Sequence, residues 1–295
     1  MYRKITTYLE RWKDDPFRKP LIIQGARQVG KTYSILEFGR THYENVAYFN
    51  FQTHPSLDAT FAEDITPASL LPILSHISGE TITRGQTLIV FDEVQLSERA
   101  LTALKYFCEQ ANEYHIIAAG SLLGVAVNRE KHAFPVGKVD RCTMYPMDMR
   151  EFLLALGEGE LVDRVCDCFS HDTPMPVALH EKLLKLYRQY LVIGGMPEAV
   201  ARYVQTQDYT QVRHIQDTIQ MDYLDDMSKY QGSANEIKKT RLTYNTVAVQ
   251  LSKKNRRFQY KLLKTGARAA EYENAIQWLV SANLIAQVYR AEQIQ

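Results

Sequence analysis

Gly25-Ala26-Arg27-Gln28-Val29-Gly30-Lys31-Thr32 fills every fixed position of the pattern G-x-x-x-x-G-K-[ST]. The apolar run Leu21-Ile22-Ile23 leads in, and Tyr33-Ser34-Ile35-Leu36-Glu37-Phe38 carries on at helical spacing. The reading is strand, loop, helix, which is the setting the pattern requires. Glycines at both ends let the backbone curl until successive N–H groups face one hollow and can receive phosphate oxygens. The helix that follows adds its unpaired amides and the positive end of its dipole. Residues Gly25, Ala26, Arg27, Gln28, Val29 and Gly30, with Lys31, Thr32 and Tyr33, are therefore the expected cradle for a nucleoside triphosphate. Lys31 is expected to reach the β- and γ-phosphates, and the Thr32 hydroxyl to coordinate Mg²⁺. The bland alternative is a glycine turn that happens to precede a lysine, and the strand and helix around it argue against that.

Thr87-Leu88-Ile89-Val90-Phe91-Asp92-Glu93 is the second anchor. A continuous apolar run marks a strand covered on both faces. It ends in two acids at the carboxyl edge, where open α/β sheets bind their ligands. Asp92 is expected to hold Mg²⁺ and Glu93 to polarise an attacking water. His115-Ile116-Ile117-Ala118-Ala119 reads as a further buried strand with Gly120-Ser121 at its end. Ser121 is placed to sense a γ-phosphate or align water, and equally to end an ordinary turn. The remaining strands are expected at Asn45–Phe51 and at 138–144. Helices are expected over 2–19, closed by Asp14-Asp15-Pro16, and over 98–110. A third carries Met149, Phe152, Leu153 and Leu156 and ends at Gly157 and Gly159. Leu70, Leu71, Leu74 and Ile77 suggest another, against which Pro72 speaks.

Beyond Gly159 the periodicity becomes helical. Leu183, Leu184, Tyr187, Tyr190 and Leu191 form an apolar stripe expected to pack in a core, broken by Gly194-Gly195-Met196-Pro197. Asp222, Asp225 and Asp226 can be read as an acidic catalytic cluster, but are expected on a solvated helix face. The last segment resembles a winged helix: helices over 243–253, 260–264 and 272–280, then Ile285–Tyr289 as a wing strand without a returning partner. From Ser233 to Gln295 eleven Lys and Arg stand against four acids, a charge of +7 that leaves −6 on residues 1–232 of a chain whose net charge is +1. The basic run Lys253-Lys254-Asn255-Arg256-Arg257 lies beside Phe258 and Tyr260. Such a segment points to a polyanion, with DNA the expected partner, or to docking on the acidic remainder of the molecule.

At 295 residues, 45% hydrophobic and 23% charged, the composition is that of an ordinary globular protein of two or three domains. No apolar run reaches bilayer length, so no membrane partner is expected. Cys108, Cys142, Cys166 and Cys168 are too scattered for a disulfide framework, and the expected compartment is the cytoplasm. Cys166-Asp167-Cys168 lacks the second pair that a zinc site requires.

The loop at 25–32, Val90-Phe91-Asp92-Glu93-Val94-Gln95 and Ala119-Gly120-Ser121 together resemble the AAA-type P-loop ATPases of bacteria and archaea that carry a C-terminal domain of unknown function. Tyr145-Pro146-Met147, Arg150-Glu151-Phe152-Leu153 and Gly194-Gly195-Met196-Pro197-Glu198 are similar to that family's later signatures. The resemblance implies an α/β core of the ASCE type, a parallel sheet sandwiched by helices with an extra strand between those bearing the phosphate loop and Asp92-Glu93. It also implies a helical region and a winged-helix part, giving expected domains at 1–159, 160–232 and 233–295. In the family a restriction-endonuclease-like domain usually follows, so the chain is expected to be shortened. Gly137-Lys138 stands where the family often has Gly-Arg, which leaves Arg129 and Arg141 as arginine-finger candidates. The expected function is Mg²⁺-dependent ATP hydrolysis relayed to a basic module, with ATP and ADP as ligands. A nucleotide-gated switch of little turnover is the first rival; a small-molecule kinase is the second, against which Asp92-Glu93 and the long helical C-terminal part argue, and oligomerisation stays open.

Overall fold

The computed structural model describes residues 1–121, 135–229, 233–254 and 257–289. Strands β1 (Leu21–Gln24), β2 (Asn45–Asn50), β3 (Thr87–Asp92), β4 (His115–Gly120) and β5 (Asp140–Thr143) pair in parallel in the order β2-β3-β4-β1-β5. Every residue of β3 and β4 is buried, as their unbroken apolar runs require when helices cover both faces. Alternate side chains feed two core layers. Leu21, Ile23, Leu88, Val90, Ile117 and Ala119 pack with Ile5, Leu9 and Trp12 of α1 (Ile5–Asp14) and Ile35 and Phe38 of α2 (Lys31–His42). Ile22, Ile89, Phe91, Ile116 and Ala118 face the opposite layer. There they meet α3 (Leu57–Thr60), α4 (Pro67–Ser78) and α5 (Glu98–Gln110). Pro72 lies inside α4 after all. It is exposed, so the carbonyl it leaves without a donor is on the solvent side.

After β5 the chain is helical. Its elements are α6 (Met149–Ala155), α7 (Gly159–Ser170), α8 (Val177–Ile193), α9 (Pro197–Thr206), α10 (Tyr209–Lys229), α11 (Ala234–Leu251) and α12 (Ala269–Ser281). Gly159 opens α7 rather than closing α6; Gly157, at φ 80°, makes the turn between them. The α8 stripe is not a core stripe. Leu184, Tyr187 and Leu191 are exposed, and the helix instead buries Ile193, with Tyr190 half-buried against Phe152.

The expected wing is absent among the described residues. Residues 285–289 form no strand, and Val288 and Tyr289 are exposed. A lone extended segment has no ladder to join, so it gains nothing from the strand conformation. The C-terminal part is instead a packed pair, α11 and α12, joined through a short 3₁₀ turn at Tyr260–Leu262. Arg256 and residues 290–295 lie outside the described residues.

Candidate functional site

The loop leaves β1 at Gln24 and enters α2 at Lys31, with Gly30 as N-cap at φ 90°. A Cβ at Gly25 would stand 2.2 Å from the carbonyl oxygen of Met144, so only glycine fits this crossing. Ala26 and Val29 are buried in the core, which anchors the loop while leaving its backbone to line the hollow. Lys31 is 7% exposed and donates from Nζ to the carbonyls of Gly25 at 3.0 Å and Ala26 at 2.8 Å. Burial lowers its pKa to about 8, a fall that Glu93 and Asp92 oppose and Arg27 deepens. Tyr33 points outward from the first turn of α2, with 60% of its surface exposed.

At the end of β3 the Asp92 carboxylate is buried and held by two hydroxyls. Thr32 Oγ1 and Tyr48 OH each donate to Oδ2 at 2.8 Å, and Asn50 Nδ2 donates to Tyr48 OH at 3.1 Å. Burial, with a contribution from Asp92, pushes the Tyr48 phenol up to about 12, so it stays a donor. Glu93 leaves the strand in the left-handed region at φ 52°, held there by its own N–H donating to Asp92 Oδ1 at 3.0 Å. Strain of this kind in a non-glycine residue clusters at working sites. The Glu93 carboxylate accepts from Gln95 Nε2 and lies 3.5 Å from Ser121 Oγ at the end of β4. Lys31, Thr32, Asp92, Glu93 and Ser121, drawn from three strand ends, thus face one space. Thr32 and Asp92 offer adjacent hard oxygens of the kind Mg²⁺ takes.

Several residues at the site are not placed there by the sequence. Arg3 is 7% exposed and spans the back of the loop: Nε donates to Glu151 Oε1 at 2.9 Å, Nη1 to the Val29 carbonyl at 2.7 Å and Nη2 to the Tyr145 carbonyl at 2.8 Å. Tyr48 on β2 is a second such residue. The acidic face of α10 is the third, and it corrects the expectation of a solvated cluster. Asp226 is 4% exposed and ion-pairs with Arg27, Tyr223 OH donates to the Arg27 carbonyl at 2.7 Å, and Gln28 Nε2 donates to Asp222 Oδ2 at 2.6 Å. Asp225, which points away, does stay exposed. Of the arginine-finger candidates, Arg129 lies outside the described residues, and Arg141 sits within the edge strand β5 beside Ile22 of β1. Lys138 pairs with Glu109 at 2.9 Å.

The order β3-β4-β1 puts one strand between the phosphate-loop strand and the strand that ends at Asp92. The fold is that of a P-loop nucleoside triphosphatase. Residues 17–153 of the P-loop chain match the family model described as AAA domain, and residues 184–294 match a domain of unknown function, DUF8612. Among solved structures, a Walker-type ATPase of Pyrococcus abyssi is similar at a TM-score of 0.50, with 14% identity over 92% of this chain and 88% of that one. The ORC2 protein of Aeropyrum pernix, solved as ADPNP and ADP complexes, gives a TM-score of 0.44 and 14% identity over 95% of this chain and 84% of that one. At such identity the first likeness shows the fold and nothing finer. No curated protein sequence matches the chain. None of these matches points to the restriction-endonuclease-like domain that the resemblance associates with the family. Among the described residues, no helix is long and apolar enough to cross a membrane.

Proposed function

We propose that the chain is a Mg²⁺-dependent ATPase whose cycle drives a conformational change in the C-terminal helices. The observation that carries this reading is the convergence of Lys31, Thr32, Asp92 and Glu93 at one sheet edge beside the loop amides. Thr32 and Asp92 would hold Mg²⁺, which supplies charge neutralisation to the phosphates when bound. Phosphoryl transfer asks the protein for position and charge rather than covalent chemistry. Lys31 brings its ammonium to the β- and γ-phosphates. The Glu93 carboxylate orients a water and takes its proton as the water oxygen bonds to the γ-phosphorus and the bond to the ADP oxygen breaks. Ser121 helps to fix that carboxylate.

In this reading residues 1–159 form the ATPase domain, 160–232 a helical region and 233–295 the output surface, with DNA as its polyanion. Exposure of Lys253, Lys254, Lys261 and Lys264 supports that reading. The test of the ATPase reading is Glu93→Gln. It should keep ATP affinity while turnover falls by about 10²-fold or more, because the cradle is untouched and the base is gone. Turnover equal to that of the wild type would assign the base to another residue.

A further inference from the structure

Arg27 stands inside the phosphate loop, and its side chain is not laid along the surface. Nε donates to Ser121 Oγ at 3.3 Å, and Ser121 Oγ lies 3.5 Å from the Glu93 carboxylate. Nη1 pairs with buried Asp226. The guanidinium therefore occupies the space between the proposed base, the end of β4 and the C-terminal helices. Helix α10 grips this part of the loop three times, through Asp222, Tyr223 and Asp226, which share one side of the helix. Trp278 of α12 lines the same small pocket with Arg27, Ser121, Tyr223 and Asp226, and its buried Nε1–H has no acceptor among the described residues.

We propose that Arg27 is a catalytic residue whose guanidinium stabilises charge on the terminal phosphate, and that Asp226 is the competing anion through which the C-terminal helices govern its availability. The inference rests on the ATPase reading above. The guanidinium is one rigid plane, already engaged through Nε by Ser121 and through Nη1 by Asp226, so swinging it onto a terminal phosphate draws Nη1 away from the carboxylate. A terminal phosphate carries more negative charge than a carboxylate and competes for the fork. When Arg27 turns to it, Asp226 loses this partner in a buried setting, which is unfavourable and loosens α10 from the loop. Coupling of this kind is reciprocal. If a triphosphate weakens the α10 contact, then weakening that contact must favour the triphosphate.

That reciprocity sets the experiment. The 295-residue chain is titrated, with Mg²⁺, against a non-hydrolysable ATP analogue and against ADP. Arg27→Ala should weaken the analogue by about tenfold to a hundredfold and leave ADP affinity unchanged, with turnover falling alongside. Asp226→Asn, nearly isosteric, should tighten the analogue and not ADP. Arg27→Lys keeps the charge but not the fork, so it should recover part of the lost affinity; it also replaces Arg27→Ala should that variant fail to fold. Equal shifts for both nucleotides in the Arg27 variants, or an Asp226→Asn protein that binds the analogue more weakly, would overturn the proposal. A wild type that binds neither nucleotide would instead bring down the ATPase reading beneath it.

Discussion

Lys31 is an amine that water keeps charged across the ordinary pH range, placed where only 7% of its surface meets water. Two backbone carbonyls hold the ammonium, yet burial still brings its pKa to about 8. A polyphosphate beside the amine favours the charged form and raises that value. Below pH 8 the free protein is already protonated there and binding needs no proton. Above it, binding takes one up, so affinity falls as pH rises through about 8, by about tenfold per unit at most. Calorimetry in two buffers of different ionisation enthalpy reads the uptake directly. Lys31→Ala should bind weakly and with no such dependence. If the wild type takes up no proton at about pH 9, the phosphates do not sit against Lys31.

At the scale of elements, the phosphate loop is held from behind by a pair that crosses the domain. Arg3, just before α1, and Glu151 of α6 are buried together, and Glu151 also accepts from the backbone N–H of Lys4 at 2.7 Å and of Asp148 at 2.9 Å. Removing one partner strands the other charge out of water. Arg3→Ala or Glu151→Ala should each destabilise the fold by about 3–5 kcal/mol, and the double variant by less than their sum. Denaturant unfolding of the four proteins of this cycle measures the coupling; strictly additive losses would mean that the pair contributes no joint energy. A second element-level expectation concerns residues 286–289. With no strand partner among the described residues and with Val288 and Tyr289 exposed, their amides should exchange rapidly with solvent. Strong protection there in a monomer would require a pairing not found among the described residues.

For the molecule as a whole, the +7 on residues 233–295 against −6 on the remainder gives the proposed output surface a sign opposite to that of the rest of the chain. Exposed Lys253 and Lys254 follow α11, and Lys261, Lys264 and Arg268 continue the basic surface. If this surface neutralises about four phosphates, the logarithm of duplex affinity should fall with the logarithm of salt at a slope of about −3.6. Lys253→Glu with Lys254→Glu should flatten that slope and weaken binding alike for unrelated sequences, since phosphate contacts carry no base information. Duplex titrations across a salt series test this. No binding at low salt, or the same slope in both proteins, would leave the basic segment as a surface that serves the molecule's own acidic body.

The parts whose chemistry is local can be read from the residues alone. The phosphate loop, the strand ending in Asp92-Glu93 and the strand before Ser121 were legible because each is a short run, and a run of apolar residues or a pair of glycines constrains its own backbone. The helical periodicity beyond Gly159 was legible for the same reason. Periodicity shows that a helix has a face; it does not show what that face meets. Hence the α8 stripe, expected in a core, is largely exposed, and the acidic face of α10, expected in water, holds the phosphate loop. The wing failed on the same ground, because a strand exists only with a partner. Arg3 and Glu151 lie 148 residues apart, and Arg27 and Asp226 lie 199 apart. Only the tertiary structure decides such pairs, since a buried charge chooses its partner from whatever the packed elements bring within reach.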